Sequence, residues 1–424
     1  MSSKLLKLSF YSGMGLIIFG ISYFLFSSFL PTNISTIRND TPDNSITPTP
    51  VSGKKTGYIV FSGPKTEICP LNGEKFTKEE KDIWSTRRPL MVMIENHVDS
   101  RPQSGLQNAD IVYEAVAEGG ITRFMGVYYC NAVRGAGSKY DIGPVRSART
   151  YYLDLASEFS DYPLYAHVGG ANCSAPIDPA TGRQAGPCTT NKKALAIEQI
   201  SDYGWNNKGT WSDLSQFSLS YKACRREPDR TGQVVATEHS MYCSTTELWN
   251  VAASRGLTDK TTINNTSWNK NYKQWSFTQK DEASASPSAG QIAFDFWSSE
   301  KDYSVVWKYD KNTNSYLREN GGKVHIDFNI EEPLRAKNII VQHVKETRSI
   351  DEHAHNLYAV IGTGTGYLFQ NGNVTELVWS KVSRSSRTTF KDKTGKEINL
   401  IPGQIWVEIL PLNSKVNYEG PQQP

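Results

Sequence analysis

The hydrophobic and polar positions divide the chain into stretches of different character. Residues 8–30, LSFYSGMGLIIFGISYFLFSSFL, contain no charged residue, and residues 31–57 are rich in Pro, Ser, Thr and Asn. A helix of about 20 apolar residues spans the ~30 Å hydrocarbon core of a bilayer. The pattern therefore predicts an N-terminal transmembrane helix over 8–30, followed by a disordered linker over 31–57.

The charges around this segment predict its orientation. Lys4 and Lys7 precede it, within the tip formed by residues 1–7. Positive residues next to a membrane helix favour the cytoplasmic side. The alternative is a cleaved signal peptide, whose apolar region is normally ~7–15 residues long and ends at small residues. The longer run favours a single-pass cell-membrane protein with a cytoplasmic N-terminus and an extracytoplasmic body.

The next part of the chain, 58–262, mixes strand and helix patterns. RPLMVMIEN and YPLYAHVGG are short apolar runs, and two β-rich runs in ADIVYEAVAEGGITRFMGVYYC flank the pair Gly119-Gly120, which predicts a hairpin. Helical patterns occupy 150–159, 192–200 and 245–256. These elements predict an α+β or α/β N-terminal domain with a mixed sheet.

The second half of the chain reads differently. Residues 263–290 are weakly patterned and include DEASASPSAG, which is typical of a linker or loop. Over 291–424, short β-rich runs such as QIAFDFW, YSVVWKYD, KNIIVQHV and IWVEIL recur with turn residues between them. This pattern predicts a mainly-β C-terminal domain.

Composition limits the functions that the chain can have. The formal net charge of the 424 residues is +3 and no long basic run occurs, so nucleic-acid binding is not expected. No cysteines have CxxC spacing, which argues against a cysteine zinc site. We expect no bound metal and no cofactor.

Six cysteines agree with an exported body, where disulfides are the default. Cys173 and Cys188 enclose a Pro/Gly-rich loop and are the first predicted pair. Cys224 and Cys243 are the second, around another irregular segment. Six cysteines allow 15 pairings, and six buried thiols are the alternative.

The predicted hairpin carries a group of charged residues. A two-residue turn at the glycine pair places Val116 opposite Arg123. In that register Glu114, Glu118 and Arg123 project from one face, close enough for their side chains to meet. Two interpretations remain open: a structural ladder of ion pairs, or one wall of a polar cleft.

The stretch DIGPVRSART places Arg146 and Arg149 directly before the predicted helix over 150–159. A helix N-terminus already carries positive partial charge, so arginines there require a negative partner. That partner is either a bound anion, which Arg123 would also contact, or a protein carboxylate. The candidate carboxylates are Asp110, Glu114 and Glu118.

The histidines give weaker signals. His167 ends a strand pattern before two glycines, and His325 and Asp327 are two residues apart, hence on one face of a strand. The position of His167 is common for site residues, but His167 and His239 also fit hydrogen-bonded structural roles. The pair His325 and Asp327 fits two metal ligands, a His–Asp hydrogen bond or a polar strand face.

Several long motifs together resemble a known family. PLMVMIEN followed by RPQSGL and IVYEAVAEGGITRFMGVY, then IGPVRSAR and YAHVGG, is similar to the YerB-like family of exported, membrane-attached bacterial domains of unknown function. YLRENGGKVHID and GKEINLIPGQIWVEILP resemble the family's C-terminal domain, so the match covers roughly 88–424. Unlike many relatives the chain has no lipoprotein cysteine after its apolar run, and ATEHSMYCS (236–244) replaces an APHN-like stretch.

The resemblance implies a two-domain extracytoplasmic protein and supplies no reaction. It marks a set of polar residues in this chain: Asn96, Arg101, Gln103, Ser104, Asp110, Glu114, Glu118, Arg123, Arg146, Ser147, Arg149, His167, His325 and Asp327. We expect a protein that binds an anionic envelope ligand or an envelope protein through the region of Arg123, Arg146 and Arg149. The alternative is an enzyme acting on an anionic lipid-linked or glycan substrate.

Overall fold

Short strands and a few helices form the part of the chain that the computed structural model describes, namely residues 59–135, 140–278 and 281–420. The predicted membrane helix (8–30) and the linker (31–57) lie outside these residues. Within the described ranges, no helix is long and apolar enough to cross a bilayer. The α-helices are α1 (Lys78–Trp84), α2 (Thr150–Ala156), α3 (Ala196–Asp202) and α4 (Thr245–Ser254).

The strands are numbered in chain order. They are β1 (Glu67–Ile68), β2 (Lys75–Phe76), β3 (Leu90–Glu95), β4 (Ile111–Glu118), β5 (Ile121–Tyr128), β6 (Asp141–Ile142), β7 (Leu164–His167), β8 (Asp213–Ser215), β9 (Cys224–Arg226), β10 (Met241–Ser244), β11 (Lys260–Thr261), β12 (Thr266–Ser267), β13 (Gln291–Phe294), β14 (Val305–Asp310), β15 (Ser315–Asn320), β16 (Lys323–Val324), β17 (Ile326–Asp327), β18 (Glu332–Pro333), β19 (Arg335–Ala336), β20 (Asn338–Val344), β21 (Glu346–Thr347), β22 (Leu357–Tyr358), β23 (Gly362–Gln370), β24 (Asn373–Lys381), β25 (Thr389–Lys391), β26 (Ile405–Pro411) and β27 (Val416–Glu419).

A ten-stranded mixed sheet takes strands from both halves of the chain. Its order is β25-β24-β23-β20-β26-β4-β5-β3-β7-β8. Strand β26 lies between β20 and β4 and pairs with both in parallel. All residues of β20 and β26 are buried, as expected for the centre of a sheet covered on both faces. The C-terminal strand β26 therefore joins the two halves.

A second sheet packs beside the first. It contains six strands in the order β16-β15-β14-β13-β27, with β19 attached to β15. Trp307 on β14 meets Trp406 on β26 edge-on, with ring centroids 5.2 Å apart, and Trp406 in turn contacts Phe124 on β5 at 5.5 Å. These buried aromatic side chains join the two sheets across the core.

The predicted hairpin is confirmed, but its register is not. Gly119 and Gly120 have φ of 54° and 85°, which a two-residue turn of this kind requires. A bulge between Val116 and Glu118 shifts the pairing, so that Arg123 lies opposite Ala115 instead of Val116. One extra residue sends the side chains beyond it to the other face. The expectation that Glu114, Glu118 and Arg123 share one face is therefore wrong for Glu114.

The predicted distribution of helices and strands is confirmed in outline. All four α-helices of the described residues precede residue 255, and the second half is mainly β. The pattern over 192–200 is a 3-10 turn at Lys192–Ala194 followed by α3, because Leu195 between them has a non-helical ψ of 82°.

All six cysteines form disulfides. Both predicted pairs, Cys173–Cys188 and Cys224–Cys243, are present. The third bridge, Cys69–Cys130, ties the segment before α1 to the end of β5. Cys69 and Cys130 are fully buried, whereas Cys173 and Cys188 are exposed.

Candidate functional site

The loop that follows β3 carries many of the polar residues marked by the sequence. Asn96 is buried directly after the strand, and its Nδ2 donates to Thr122 Oγ1 at 2.7 Å and to Glu114 Oε1 at 3.3 Å. Gln103 Nε2 donates to the carbonyl of Glu95 at 3.0 Å and to Asn96 Oδ1 at 3.1 Å. These bonds hold the loop against the ends of β4 and β5.

Side chains from the second half complete this buried group, which we call the Glu114 network: Asn96, Gln103, Glu114, Thr122, Arg318, Asn320, His325 and Glu408. Arg318, fully buried on β15, forms an ion pair with Glu114. Asn320 Nδ2 donates to Asn96 Oδ1 at 2.8 Å. The network therefore joins the ten-stranded sheet to the neighbouring six-stranded sheet through polar contacts.

Two carboxyl groups meet in this network. Glu114 on β4 and Glu408 on β26 occupy paired positions on neighbouring parallel strands, and both are fully buried. Burial, together with the charge of Glu114, raises the pKa of Glu408 well above its usual range, against the opposing effect of Arg318. The arrangement fits one carboxylate, Glu114, paired with Arg318, and one protonated acid, Glu408, which also accepts from Trp307 Nε1 at 3.0 Å.

His325 is neutral for a related reason. Burial, and next to it the charges of Arg318 and Arg101, lower the pKa of His325 well below its usual range. Arg318 Nη1 lies 2.6 Å from Nδ1, and Gln103 Oε1 lies 2.7 Å from Nε2. Because a guanidinium only donates, Nδ1 accepts and the proton resides on Nε2, which donates to Gln103.

A cleft opens in front of the network. The Arg101 cleft has a volume of about 340 Å³ and is lined by Val98, Arg101, Pro102, Asp302, Asn320, Gly321, Lys323, Val324, His325 and Ile326. Val98, Val324 and Ile326 are exposed apolar side chains. The cleft thus combines these apolar side chains with the charged residues Arg101, Asp302 and Lys323, and Asn320 and His325 join it to the buried network.

Arg101 is the principal charge of this cleft. Its Nε and Nη2 donate to Asn96 Oδ1 at 3.1 Å and to the Asn96 carbonyl at 3.0 Å, and its guanidinium lies 5.2 Å from the ring centroid of Tyr303. None of the described carboxylates forms an ion pair with it. Burial lowers the pKa of Arg101 to about 10, so the group remains charged at neutral pH. Asp302, which lines the same cleft, and the buried Glu114 act on this charge only from beyond ion-pair distance. Arg101 is therefore a partly buried cation without an ion-pair partner.

The arginines near α2 have protein partners instead. Glu118 Oε1 lies 2.7 Å from Arg123 Nη2, and Glu118 Oε2 lies 2.5 Å from Arg149 Nη2. Arg123 and Arg149 are buried. Burial works against the charge of Glu118, but the two guanidinium groups outweigh it and lower the pKa of Glu118 to about 2. One carboxylate therefore supplies the negative partner for both arginines.

Arg146 is separate from that pair. Its side chain is 24% exposed, and its Nε lies 3.2 Å from Glu95 Oε1. Arg123, Arg146 and Arg149 line none of the four cavities described.

Other marked residues have contacts within the fold. Asp110 is fully buried beside the Cys69–Cys130 bridge and accepts the backbone N–H groups of Tyr129, Cys130 and Asn131. Burial raises its pKa to about 7 despite these hydrogen bonds. Asp327 accepts the N–H groups of the loop at Gly105 and Gln107, 3.1 and 2.9 Å away.

His167 also lies within the fold, on β7. Its Nε2 is 2.8 Å from Asp213 Oδ1, and its Nδ1 is 2.5 Å from the carbonyl of Gly169. The ring is buried and lines none of the described cavities.

Two groups of residues have the composition of a metal site. Cys69, Asp110 and Cys130 lie together, but the two sulfur atoms are bonded to each other and offer no thiolate. His97, Asp99 and His239 bring their ligand atoms within 4.8 Å of one another. His239 was marked from the sequence, whereas His97 and Asp99 were not.

Sequence reasoning also missed Arg318, Asn320 and Glu408. Each is a polar residue inside an otherwise strand-like run, YLREN or IWVEIL. The sequence does contain a signal for Arg318 and Glu408, because each is a charged residue within an apolar strand pattern. A charge buried in this way requires a polar or charged partner. The partner itself is more than 200 residues away from Arg318 in the sequence.

Two further cavities are larger but more polar. A groove of about 820 Å³ runs beside Glu346 and Arg348, and one of about 550 Å³ contains Arg335 and Lys337. Three of the cations that line them have carboxylate partners: Arg348 pairs with Glu346 at 2.5 Å, Lys337 with Asp281 at 2.9 Å, and Arg335 more loosely with Glu332 at 3.9 Å.

Comparisons with known proteins agree with the architecture. Residues 72–258 match the family described as "Protein of unknown function (DUF3048) N-terminal domain", and 292–407 match its C-terminal domain. A Bacillus subtilis (strain 168) protein named "Putative lipoprotein YerB" is 26% identical over 343 residues, which cover 81% of this chain and 86% of that protein. The crystal structure of the YerB protein from Bacillus subtilis superimposes with a TM-score of 0.61 at 24% identity, covering 83% of this chain and 100% of the other, and so shows a common fold.

Proposed function

Because the chain belongs to the YerB-like family and carries both DUF3048 domains, we propose that it is a membrane-anchored, extracytoplasmic protein that binds an anionic, partly apolar ligand in the Arg101 cleft. The observation that carries the proposal is the guanidinium of Arg101, a partly buried cation that forms no ion pair with the described carboxylates, although Asp302 lines the same cleft.

The charge of Arg101 has a physical consequence. A cation that is partly removed from water costs free energy unless an anion compensates it. Arg123 and Arg149 have Glu118 for that purpose, and Arg318 has Glu114. Arg101 has only the more distant carboxylates of Asp302 and Glu114, so its close anionic partner is the ligand. The planar guanidinium suits a phosphate or a carboxylate.

The walls of the cleft define the rest of the ligand. Val98, Pro102, Val324 and Ile326 are apolar, so an uncharged hydrocarbon portion packs beside the charged group. A volume of about 340 Å³ suits a headgroup with a short apolar portion. Lipid phosphates and lipid-linked precursors of the cell envelope have this chemistry.

The cellular location follows from independent features. Disulfides are typical of proteins in an oxidising compartment, and this chain has three. The relative named as a lipoprotein would be attached to a membrane by lipid, whereas here the apolar run 8–30 serves as a single-pass anchor. The linker 31–57 then holds the body near the outer surface of the membrane.

This function is tested by identifying the small molecules that co-purify with the protein. Full-length protein extracted from the membrane in neutral detergent is compared with the Arg101→Met variant by mass spectrometry of the organic extract. The proposal predicts an anionic amphiphile, at one per chain or less, that is depleted in the variant. An extract of equal composition from both proteins would contradict it.

The alternative, an enzyme acting on an anionic lipid-linked or glycan substrate, draws on the raised pKa of Glu408 near the same cleft. A carboxylic acid that stays protonated at neutral pH has the chemistry of a general acid. Glu408 and Glu114 are fully buried behind Asn320 and His325, so this role also requires the network to open. Turnover of the co-purified ligand by the wild type, and its loss in Glu408→Gln, would favour the enzyme.

A further inference from the structure

Two histidines and an aspartate lie close together beside the end of β3, although His97 and His239 are 142 positions apart in the sequence. His97 caps the 3-10 helix Val98–Ser100, and His239 ends the 3-10 helix Thr237–His239 just before β10. Asp99 belongs to the first of these helices. The three ligand atoms lie within 4.8 Å of one another, whereas atoms about 2.0–2.1 Å from a tetrahedral ion lie roughly 3.3 Å apart. The cluster is therefore within small side-chain movements of a coordination sphere.

Neighbouring side chains already orient one of these ligands. Glu95 Oε2 lies 2.8 Å from His239 Nδ1, and Glu95 Oε1 lies 3.2 Å from Arg146 Nε. A carboxylate accepts the Nδ1 proton, which leaves the Nε2 lone pair of His239 for an ion. Histidine ligands of metals are commonly held by such a carboxylate partner.

The other two ligands have room to adjust. The rings of His97 and His239 are parallel within 8°, with centroids 4.6 Å apart. Face-to-face rings do not direct their in-plane lone pairs at one point, so binding requires the His97 ring to turn. His97 is 28% exposed and Asp99 is 64% exposed, and the contact between them is loose at 3.5 Å, so both are able to reorient.

We propose that His97, Asp99 and His239 bind one divalent transition-metal ion, with Zn²⁺ as the best match, and that Glu95 and Arg146 hold His239 in position for it. Two imidazoles and one carboxylate form a common zinc ligand set, in which water occupies the fourth position. This site is distinct from the Arg101 cleft and does not depend on the function proposed above. It gives Arg146 and Glu95 a role, which the expected binding of an anion by Arg123, Arg146 and Arg149 did not.

The test is direct metal titration of the full-length protein, purified without a histidine tag in neutral detergent and stripped with EDTA. Calorimetry with ZnCl₂ is expected to show one ion per chain. His97→Ala and His239→Ala should each weaken Zn²⁺ binding at least tenfold, and Glu95→Gln should weaken it by roughly 10–100-fold, as for other carboxylates that orient a histidine ligand. Visible absorption of bound Co²⁺ should disappear in the first two variants.

The matched control is His353→Ala. His353 is also a partly exposed histidine beside a carboxylate, with Glu352 3.7 Å away, and this variant should bind Zn²⁺ like the wild type. Thermal unfolding of the metal-free proteins checks that each variant is folded. If His239→Ala does not fold, the Zn²⁺ affinity of His97→Ala tests the proposal, because His97 is partly exposed. Wild-type binding of less than one ion per chain, or unchanged affinity in His97→Ala, would overturn the proposal.

Discussion

Individual arginines in this protein differ mainly in the partner that neutralises them. Arg123 and Arg149 share the partly buried carboxylate of Glu118, and Arg318 has the buried Glu114. Arg101 contacts the oxygens of Asn96 and the face of Tyr303 and forms no ion pair with the described carboxylates. The sequence predicted that arginines beside glycine and proline would require anions, but it could not assign them. The decisive partners depend on a bulge in β4 and on residues of the second half of the chain.

For the two carboxyl groups of the Glu114 network we expect the same substitution, Glu to Gln, to have effects of different size on stability. Glu408→Gln replaces a protonated acid with an isosteric neutral amide, so the free energy of unfolding should change by less than about 1 kcal/mol. Glu114→Gln leaves Arg318 buried without its counter-charge, and breaking such a pair costs about 3–5 kcal/mol. Urea unfolding at neutral pH of both variants measures this difference, and equal destabilisation would contradict the assignment of the proton to Glu408.

Glu118 predicts an acid-sensitive contribution to stability. Its pKa is about 2 in the folded protein against a usual value of 4.5, so the unfolded chain binds the extra proton first as the pH falls. The stabilisation is present above pH 4.5 and is lost as the pH falls toward 2, with an upper bound of about 3 kcal/mol. Unfolding experiments across this range should show a steeper acid loss for the wild type than for Glu118→Gln. Parallel curves would exclude Glu118 as the source.

Among the secondary-structure elements, the β4–β5 hairpin shows where local patterns succeed and fail. The glycine pair identified the turn because both residues need positive φ. The bulge before Glu118 has no comparable signal in the sequence. Because of its one extra residue, Glu118 pairs with Arg123 and Arg149, whereas Glu114 pairs with Arg318. The disulfide loops were predictable when they enclosed a short irregular segment, but Cys69–Cys130 spans 61 residues and depends on the tertiary fold.

The disulfides should differ in their contribution to stability and in accessibility. In the chain-entropy estimate, a bridge with a separation of 61 residues contributes about 4 kcal/mol and one with a separation of 15 about 3 kcal/mol. Cys69–Cys130 is also buried, so a mild reductant should open the exposed Cys173–Cys188 bridge first. Thiol labelling followed by peptide mass spectrometry gives the order. Labelling of Cys69 before Cys173 in folded protein would contradict the burial described above.

At the scale of the whole molecule, the ten-stranded sheet makes the two halves depend on each other. Strand β26, in the middle of this sheet, pairs with β4 of the first half, and the Glu114 network crosses the same boundary. The sequence predicted mixed strands in the first half and mainly strands in the second. It could not predict this pairing, because parallel pairing of β4 with β26 joins residues almost 300 positions apart and no local pattern encodes it.

The shared sheet predicts cooperative folding. Expressed alone, residues 53–262 lack the β26 partner of β4 and the guanidinium of Arg318 beside Glu114. We expect circular dichroism to show that this fragment is unfolded. In the full chain, residues Gly53–Pro424 should unfold in a single cooperative transition. A fragment that is folded and melts cooperatively would show that the halves are independent.

Anion binding at Arg101 is the central claim, and its most direct test is calorimetric titration of the full-length protein with phenyl phosphate, a small anion with an apolar ring. Arg101→Met should weaken binding at least tenfold, and its melting temperature should be unchanged or higher, because burial disfavours the charge that the variant removes. Arg335→Met, at the separate 550 Å³ groove, should bind like the wild type, and uncharged benzyl alcohol should bind far more weakly than phenyl phosphate. Equal affinity of the wild type and Arg101→Met for phenyl phosphate would contradict the account.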